Sequence, residues 1–535
     1  MKYFNTAGPV SCEKHYCLPP LRRLDLNDIL SLITQEKYFI LHAPRQTGKT
    51  SCLKALMKYL NASGEYCSLY INVESAQAAR ENVAGGIHAI VDEIYDRCKD
   101  DQIILDPRIL IDGLWEQYSE FSALSVVLSR LSSSAGKPVV LLVDEIDALV
   151  GDTLISTLRQ IRKSYDKRPT LFPQSVILCG VRDVRDYRIH SDREKAIITG
   201  GSAFNIKAES LRLGNFTDAE TRELCLQHTT ETGQVFEPAA LDLIWYYSEG
   251  QPWLVNALAY EICFRMDEGK ERTNSIGSEM VVTARERLIA RRETHLDQLT
   301  DKLREERVRR VIEPMLTGEI FENEFRRDDL EYVIDLGLII REPNGSVRIA
   351  NPVYQEVIPR ELTWSTQAGI TVKNARFITN AGLLDMKRLL TDFQQFYREN
   401  SGSWLEIAQY REAGPHLLLQ AFLQRIINGG GRIEREYGLG RGRTDLFIIW
   451  PYGNELVQRI IIEIKIQHHS REITIRDGLA QACRYRDHCR ADESHLVIID
   501  RTPDTPWDDK IFIKEEIFTG TPERPVQCPV TIWGM

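Results

Sequence analysis

The sequence predicts an α/β protein with several domains. In residues 38–180, apolar strand-like runs alternate with helical segments, which is typical of a parallel sheet flanked by helices. Residues 415–500 follow a different order: helix, three strands, helix, strand. The chain has 535 residues, which is more than one hydrophobic core usually organises, so about two to four domains are expected.

The amino-acid composition limits the classes of protein to which this chain can belong. The chain is 43% hydrophobic and 27% charged, with a net charge of −10, so any nucleic-acid binding needs a local basic surface. No apolar run reaches the roughly 18 residues of a membrane span, and no signal-peptide pattern is found. We therefore expect a cytoplasmic protein without a membrane partner. The 11 cysteines are scattered, which favours reduced thiols. Two groups lack zinc-like spacing: Cys12, His15 and Cys17, and Cys483, His488 and Cys489.

A phosphate-binding loop is predicted between an apolar strand at 38–42 and a helix at about 51–60. The loop follows the pattern G-x-x-x-x-G-K-[ST], except that Ala43 replaces the first glycine. Its backbone N–H groups and the helix N-terminus would face phosphates. Lys49 would supply charge, and Thr50 would supply a hydroxyl for Mg²⁺. The expected nucleotide-binding residues are Ala43, Pro44, Arg45, Gln46, Thr47, Gly48, Lys49 and Thr50.

Acidic residues follow a second apolar strand at 138–143. Asp144 would hold Mg²⁺, and Glu145 would polarise the attacking water. Further strands at 68–73 and 175–180 complete a parallel sheet whose carboxyl edge binds nucleotide. The first half of the chain is therefore predicted to be a P-loop ATPase that uses ATP and Mg²⁺.

Basic residues follow the strand at 175–180. Arg182 or Asp183 lies where a γ-phosphate sensor is expected. Arg185, Arg188 and Arg193 are candidate arginine fingers for a neighbouring subunit, and each can also be interpreted as a solvated charge. A finger acting in trans would imply a homo-oligomer.

These motifs, together with Gly250-Gln251-Pro252, resemble the AAA-like ATPases of the origin-recognition and STAND branch over residues 20–290. The resemblance implies that Pro252 opens a lid helix that contacts nucleotide. It divides this part into an ATPase core at 1–210 and a helical lid at 211–292.

Residues 293–365 form a connector that is similar to a winged helix. Helical patterns at 295–312 and 328–334 precede strands at 336–341 and 346–350, joined by Pro343-Asn344-Gly345. Asn-Gly between strands is a strong hairpin signal. Such a connector acts as a regulatory lid or binds DNA directly, and the sequence leaves both alternatives open.

Charged residues interrupt two apolar strands of the C-terminal part. Asp445 lies in the strand at 443–450, and Glu463 and Lys465 lie on one face of the strand at 459–466. A hairpin through 451–454 would bring the two carboxylates and the ammonium together. This combination suits Mg²⁺ and a water nucleophile. The other expected elements are helices at 383–397, 404–412, 415–427 and 475–490, and strands at 432–437 and 494–500.

This order of elements resembles the PD-(D/E)XK nuclease superfamily over residues 410–505, within a domain at 366–535. The resemblance implies that Asp445 and Glu463 bind Mg²⁺, with Glu412 as an extra acid. Lys465 would orient the water, and Gln481 and Tyr485 would position the phosphate. Candidate phosphate contacts are Arg441, Arg443, Arg471, Arg476, Arg484 and Arg486, about half of which can instead pair with neighbouring acids. His468 and His469 are interpreted as polar residues at the rim of the site.

Three functions are compatible with these motifs. The leading hypothesis is an ATP-dependent or ATP-gated, Mg²⁺-dependent DNA endonuclease, which bacteria could use in defence against foreign DNA. DNA is favoured over RNA as its partner. One alternative is a STAND-like regulator whose nuclease-type domain only binds nucleic acid or protein. Another is an origin-recognition-like ATPase that binds duplex DNA through the connector.

Overall fold

The computed structural model of the protein describes residues 1–182, 188–190, 197–199, 207–291, 301–315, 326–362, 374–406, 414–427, 431–437, 444–453, 456–467, 470–502, 505–521 and 524–535. The chain divides into two compact units. The first contains Met1–His295 and Leu330–Asn351, and the second contains Leu296–Asp329 and Pro352–Met535. The boundaries run through the predicted connector, which is shared between the units.

A five-stranded parallel sheet forms the centre of the first unit. Its strands are β1 (Tyr38–His42), β2 (Cys67–Asn72), β3 (Val139–Asp144), β4 (Ser175–Gly180) and β7 (Lys207–Arg212). The order is β2-β3-β4-β1-β7, with every pairing parallel. Apolar clusters cover both faces, which is why these strands are almost continuously hydrophobic. The predicted parallel α/β core is confirmed.

The strand register determines where the polar residues meet. His42 pairs with Gly180, and Asn72 pairs with Asp144. The carboxyl ends of β1, β3 and β4 therefore lie at one edge of the sheet, with β4 in the middle. The loop after β1, the acids after β3 and the residues after β4 are neighbours as a result.

Helices surround this sheet and continue beyond it. The phosphate-loop helix begins at Lys49, two residues before the predicted start, because Gly48 provides its left-handed N-cap. A capping box of Thr217 and Glu220 begins the first helix of the predicted lid. Within the described residues, the α-helices longer than four residues that lie wholly in this unit are Leu26–Thr34, Lys49–Ser63, Val83–Asp100, Ala123–Ser134, Gly151–Lys163, Asp218–Thr232, Pro238–Ser248, Pro252–Tyr260 and Ser278–Arg291.

Two small hairpins complete the first unit. Strands β5 (Arg188–His190) and β6 (Ile197–Thr199) pair antiparallel. Strands β8 (Ile339–Arg341) and β9 (Val347–Ile349) form the hairpin predicted from Asn-Gly, and Gly345 has a φ of +91° in its turn. The helix Arg327–Asp335 precedes this hairpin.

A six-stranded mixed sheet forms the centre of the second unit. The strands are β10 (Arg432–Tyr437), β11 (Thr444–Tyr452), β12 (Leu456–Ile466), β13 (Glu493–Ile499), β14 (Phe512–Thr521) and β15 (Arg524–Gly534), in the order β10-β11-β12-β13-β15-β14. The first three strands are antiparallel, whereas β12, β13 and β15 run parallel. In the part of this unit that the structure describes, the helices longer than four residues are Glu306–Met315, Pro352–Leu362, Met386–Glu406, Gly414–Ile427 and Arg471–Cys489.

The second unit corrects several sequence expectations. One continuous helix, Met386–Glu406, joins the helix expected at 383–397 to the start of the one expected at 404–412, so Gly402 does not end the helix; residues 407–412 lie outside the described part. Strand β11 extends through Pro451 to Tyr452, so the turn lies later than expected. Strands β14 and β15 were not predicted, because their sequences show only weak alternation of polar and apolar residues, which is the usual signal of a strand.

Two expectations from composition can also be compared with the structure. The cysteines were expected to be reduced, but Cys12 pairs with Cys17 and Cys483 pairs with Cys528 as disulfides. Scattered spacing cannot reveal such pairs, since the second joins residues 45 apart in sequence.

In the described part of the chain, no helix is long and apolar enough to cross a membrane.

Gly250 provides a test of this packing. It has a φ of +69°, and a Cβ there would lie 1.9 Å from the Phe216 carbonyl oxygen. Gly136 has a similar φ of +67° but nothing within 4 Å. We expect Gly136→Ala to lower the free energy of unfolding by about 1 kcal/mol through φ alone. Gly250→Ala should cost about 3 kcal/mol, because the backbone must also move.

Denaturant unfolding of the two variants against the parent protein measures this difference. Equal losses of stability in both variants would contradict the proposed close contact at Gly250.

Candidate functional site

The loop after β1 adopts the shape expected for binding phosphate. Ala43 is buried, its N–H donates to the Gly180 carbonyl at 3.2 Å, and its φ is not positive. A glycine is therefore not required where the pattern has one. Gly48 does need its freedom, since its φ is +93°. The Thr47 hydroxyl closes the loop by donating to the Pro44 carbonyl at 2.8 Å.

Lys49 lies inside this loop. Its side chain is buried, and its ammonium donates to the carbonyl oxygens of Ala43 at 2.9 Å and Pro44 at 3.0 Å. The positive charge is thus held at the concave side of the loop by main-chain acceptors. The predicted location of Lys49 at the phosphate loop agrees with this geometry.

Thr50 and Asp144 meet across the sheet edge. The Thr50 hydroxyl donates to Asp144 Oδ2 at 2.7 Å, and the fully buried Asp144 also accepts the backbone N–H of Glu145 at 3.0 Å. A hydroxyl and a carboxylate are oxygen ligands of the kind that Mg²⁺ takes. These two residues therefore fit a Mg²⁺ ion bound beside nucleotide phosphates.

Tyr70 is a site residue that the sequence analysis missed. Its hydroxyl donates to Asp144 Oδ2 at 2.9 Å. Burial and the neighbouring Asp144 carboxylate raise the pKa of Tyr70, so it remains a donor. The strand register explains the contact. Tyr70 pairs with Leu142, which lies two residues before Asp144 and therefore on the same face of the sheet.

Glu145 follows Asp144 in a left-handed conformation, with a φ of 57°. Burial, and then the Asp147 carboxylate, raise the pKa of Glu145, whereas Lys49 opposes them. Asp147 in turn accepts the backbone N–H of Val181 at 3.0 Å, which fixes the end of β4 next to the acids. A carboxylate with a raised pKa is suited to accepting a proton.

The residues after β4 are described only in part. The guanidinium of Arg182 lies 5.1 Å from the centre of the Tyr332 ring. Asp183, Arg185 and Arg193 lie outside the described residues, and Arg188 is described only as part of β5. The expected sensor and arginine fingers therefore stay predictions.

A cavity of about 130 Å³ lies beside the phosphate loop. Gln46 and Gly48 line one side, Pro252 lines another, and the N-terminal residues 5–8 close it. The Trp253 indole N–H donates to the Thr6 carbonyl at 2.9 Å, which ties this segment to the predicted lid. The sequence predicted Pro252 here but gave no signal for the N-terminal wall, because that segment has no motif.

The second unit brings Glu463 and Lys465 together on β12. The Lys465 ammonium lies 3.0 Å from Glu463 Oε1, and the side chain of Glu463 is 0% exposed whereas that of Lys465 is 29% exposed. Alternation puts both on the face that carries Ile461, which packs against the helix Arg471–Cys489.

That helix carries the other predicted site residues. Gln481 donates to the hydroxyl of the buried Tyr485 at 3.1 Å. Tyr485 belongs to the same apolar cluster as Ile461 and Leu479. The predicted accessory pair therefore lies on the helix that covers the face of Glu463 and Lys465.

Asp445 is described by its backbone alone. Leu446 pairs with Ile462 in the antiparallel register of β11 and β12. One further step along this register puts the Asp445 backbone opposite Glu463. The side chain of Asp445 lies outside the described residues, so the meeting of two carboxylates stays a prediction. Also outside them are Glu412, Arg441, Arg443, His468 and His469.

The remaining candidate arginines differ in their environments. Arg486 donates to the carbonyls of Ala491, Asp492 and Pro529, so it holds chain segments together instead of being available for phosphate. Arg471 likewise donates to a main-chain carbonyl at 2.9 Å. Arg476 lies 3.6 Å from Asp477 in an exposed pair, and Arg484 is exposed. Among the candidate arginines that the structure describes, these last two are therefore the exposed ones without a main-chain acceptor identified here.

Comparison with known proteins assigns the domain that contains the first of these sites. Residues 33–187 match the family model of an AAA domain. This part of the chain is an AAA-type P-loop ATPase domain. The sheet order and the Thr50–Asp144 contact agree with that assignment. No curated protein sequence matches the chain.

Several solved structures are similar to the chain at low identity. The Walker-type ATPase PABY2304 of Pyrococcus abyssi is 16% identical, with 66% of this chain and 99% of that one covered and a TM-score of 0.44. Cdc6p from Pyrobaculum aerophilum is 14% identical over 64% and 93%, with a TM-score of 0.35. The RuvB Holliday junction branch migration motor of Thermotoga maritima is 14% identical over 63% and 93%, with a TM-score of 0.32.

Among the residues that the structure describes, no group of three or more His, Cys, Asp or Glu side chains is arranged to hold an ion. In the ATPase domain, one carboxylate and one hydroxyl would hold Mg²⁺, with phosphate oxygens as the expected further ligands.

Tyr70 allows a test of the Asp144 environment. Tyr70→Phe removes one hydrogen bond to a buried carboxylate, which contributes about 1.5–3 kcal/mol. We expect ATP turnover to fall by about tenfold or more. Tyr38→Phe is a matched control, because the Tyr38 hydroxyl donates at 2.9 Å to the Pro173 carbonyl in the same sheet.

Steady-state ATP hydrolysis at saturating Mg²⁺ measures both variants. Equal turnover in the two would show that Tyr70 does not orient Asp144.

Proposed function

We propose that this protein is an ATP-gated, Mg²⁺-dependent DNA endonuclease with its two centres on separate units. The ATPase half rests on the AAA domain assignment. The nuclease half is carried by one observation: Glu463 and Lys465 meet at 3.0 Å on the sheet face that the Gln481–Tyr485 helix covers.

In the ATPase domain, Lys49 exchanges its carbonyl partners for the phosphates of ATP. Thr50 and Asp144 hold Mg²⁺, which supplies charge neutralisation at the phosphate oxygens when it is bound. Glu145 accepts a proton from the attacking water, to which its raised pKa is suited. Arg182 senses the γ-phosphate at the end of β4.

In the second unit, Asp445 and Glu463 hold the metal that hydrolysis of a phosphodiester requires. Lys465 orients the water and stabilises the charge that develops on phosphate. Gln481 and Tyr485 position the DNA backbone through their polar ends. The partial exposure of Lys465, beside a fully buried Glu463, suits a residue that faces substrate.

The segment Leu330–Asn351 supports coupling of the two activities. Asp335 lies 3.5 Å from His42 at the end of β1, and both side chains are buried. A Cβ on Gly337 would lie 2.6 Å from the ring of Pro44 in the phosphate loop, so the Gly337 backbone packs closely against that ring. Nucleotide binding at this loop therefore acts directly on the segment.

The same segment also contacts the predicted lid and leads onward. Arg348 pairs at 3.0 Å with Glu249, immediately before the Gly250-Gln251-Pro252 turn. Asn351 is then followed by Pro352, the first residue of the second stretch of the other unit. We infer that movement of this segment transmits the nucleotide state along the chain.

A second candidate function is a STAND-like regulator without cleavage. The complete burial of Glu463 favours it, because a carboxylate neutralised by Lys465 in a dry site also describes a structural ion pair. On this alternative the second unit binds nucleic acid or protein without chemistry.

ATP hydrolysis is tested by two variants with different defects. Lys49→Ala removes the phosphate-binding charge, so both nucleotide binding and turnover should be lost. Glu145→Gln should keep binding and lower turnover by about 100-fold or more. Fluorescent-nucleotide titration and phosphate release separate the two. Full turnover by Glu145→Gln would exclude Glu145 as the base.

The pH profile of ATP hydrolysis tests the same residue. Glu145 must be ionised to accept a proton, so turnover falls as pH falls through its pKa. Because burial raises that pKa, the loss should begin at a higher pH than for an exposed glutamate. The residual turnover of Glu145→Gln should not show this fall at low pH. If the fall persists in the variant, it is caused by the titration of another group.

Cleavage is tested on single- and double-stranded DNA with Mg²⁺, with and without a slowly hydrolysed ATP analogue. Asp445→Ala and Lys465→Ala should each lower cleavage by about 100-fold or more while ATP turnover persists. Lys387→Ala is a matched control, since that lysine forms an exposed pair with Glu515 at 3.6 Å in the same unit.

Unchanged cleavage by Asp445→Ala or Lys465→Ala would show that the assigned centre is wrong. Absence of cleavage by the parent protein with every metal tested would favour the regulator.

A further inference from the structure

Arg23 joins two parts of the ATPase unit that are distant in sequence. One of its guanidinium nitrogens donates to the carbonyl of Thr47 in the phosphate loop. The other donates to the carbonyl of Gly214 at 2.6 Å, and the guanidinium lies 4.7 Å from the centre of the Phe216 ring. Gly214 and Phe216 belong to the strand-to-helix segment between β7 and the first lid helix, which we call the hinge (residues 213–217).

The contact with Thr47 fixes one peptide plane of the phosphate loop. In a planar trans peptide, the C=O and the following N–H point in opposite directions. Holding the Thr47 carbonyl towards Arg23 therefore turns the Gly48 N–H away from Arg23. That N–H is one of the donors with which such a loop binds phosphate. The fit is close, because a Cβ on Gly48 would lie 2.8 Å from the Arg23 guanidinium.

The contacts of Arg23 differ from those of its neighbour. Arg22 forms an ordinary exposed pair with the Glu223 carboxylate at 2.9 Å. Arg23 instead donates to the main-chain carbonyls of Thr47 and Gly214, and burial lowers its pKa. A guanidinium desolvated against carbonyls is costly, so its two donors must be placed where the backbone presents acceptors. Both acceptors lie in elements that border the nucleotide cavity.

We propose that Arg23 is a positioning residue for nucleotide binding and hydrolysis, which holds the Thr47–Gly48 peptide ready for phosphate by bracing it against the hinge of the lid. This inference rests on the ATPase part of the proposed function. Arg23 itself does not act on ATP. Through Arg23, the conformation of the phosphate loop depends on the position of the hinge. Movement of the lid therefore changes how the loop binds phosphates.

The experiment uses the full-length protein and three variants: Arg23→Ala, Arg23→Lys and the control Arg22→Ala. Fluorescent ADP titration, kcat and KM for ATP, and thermal midpoints are measured for each, with and without millimolar guanidinium chloride. Arg23→Ala should weaken nucleotide affinity by about 10- to 100-fold, as expected for loss of charged hydrogen bonds. Added guanidinium should restore part of that affinity.

Arg23→Lys should be intermediate, because an ammonium can reach one carbonyl but not reproduce the fork of two. Arg22→Ala should bind nucleotide within about twofold of the parent protein, as an exposed pair contributes little. The thermal midpoint of Arg23→Lys should remain that of the parent, so that a change in affinity reports on the site.

Equal affinity in Arg23→Ala and the parent would overturn the proposal. So would a loss in Arg23→Ala that guanidinium does not restore, accompanied by a lowered midpoint and full activity in Arg23→Lys, since this would indicate a purely structural role. A parent protein that neither binds nor hydrolyses ATP would instead overturn the ATPase function itself.

Discussion

The hydrogen bond between Thr50 and Asp144, 2.7 Å long, joins residues 94 apart in sequence. Thr50 lies in the helix that follows β1, and Asp144 is the last residue of β3. This hydrogen bond can form only because β4 lies between β1 and β3 in a parallel sheet with their carboxyl ends level. Any slip in that register would separate the hydroxyl from the carboxylate. The apolar clusters on both faces of the sheet hold the register in place, so packing in the core determines the geometry of the nucleotide site.

Each unit buries a carboxylate completely, and each offsets its charge differently. Asp144 is surrounded by neutral donors, the hydroxyls of Thr50 and Tyr70 and a backbone N–H. Glu463 instead faces the full charge of Lys465. Neutral donors leave the negative charge of Asp144 available to a cation, whereas Lys465 already neutralises Glu463. A metal at Glu463 therefore depends on a second acid, and Asp445 is the residue in the adjacent strand at that level.

Much of the first unit could be predicted, because its information is local. The strands β1 and β4 are continuous apolar runs of the kind that a buried parallel sheet requires, and their predicted positions agree with the structure. The phosphate-loop residues are contiguous, and the hairpin of β8 and β9 is signalled by Asn-Gly. What escaped prediction was non-local: Tyr70 beside Asp144, the N-terminal wall of the cavity, and Arg23 beneath the loop.

In the second unit the same limit is more severe. Strands β12 and β13 follow apolar patterns and were placed to within a few residues. Strands β14 and β15 have weak alternation, and the break expected within Met386–Glu406 does not occur. Local propensity does not determine the secondary structure of such segments. Where the propensity for strand or helix is weak, the packing of the whole sheet decides which conformation forms.

The position of Lys49 has a consequence for which molecules can enter the site. Its ammonium is already bound by the carbonyls of Ala43 and Pro44, so an incoming ligand competes with the loop's own backbone. A neutral or weakly polar molecule gains nothing by displacing two good acceptors. An oligophosphate replaces them with oxygens that carry full negative charge, which bind an ammonium more strongly. If the loop binds phosphate as proposed, this competition favours multiply charged ligands over metabolites with a single weak acceptor.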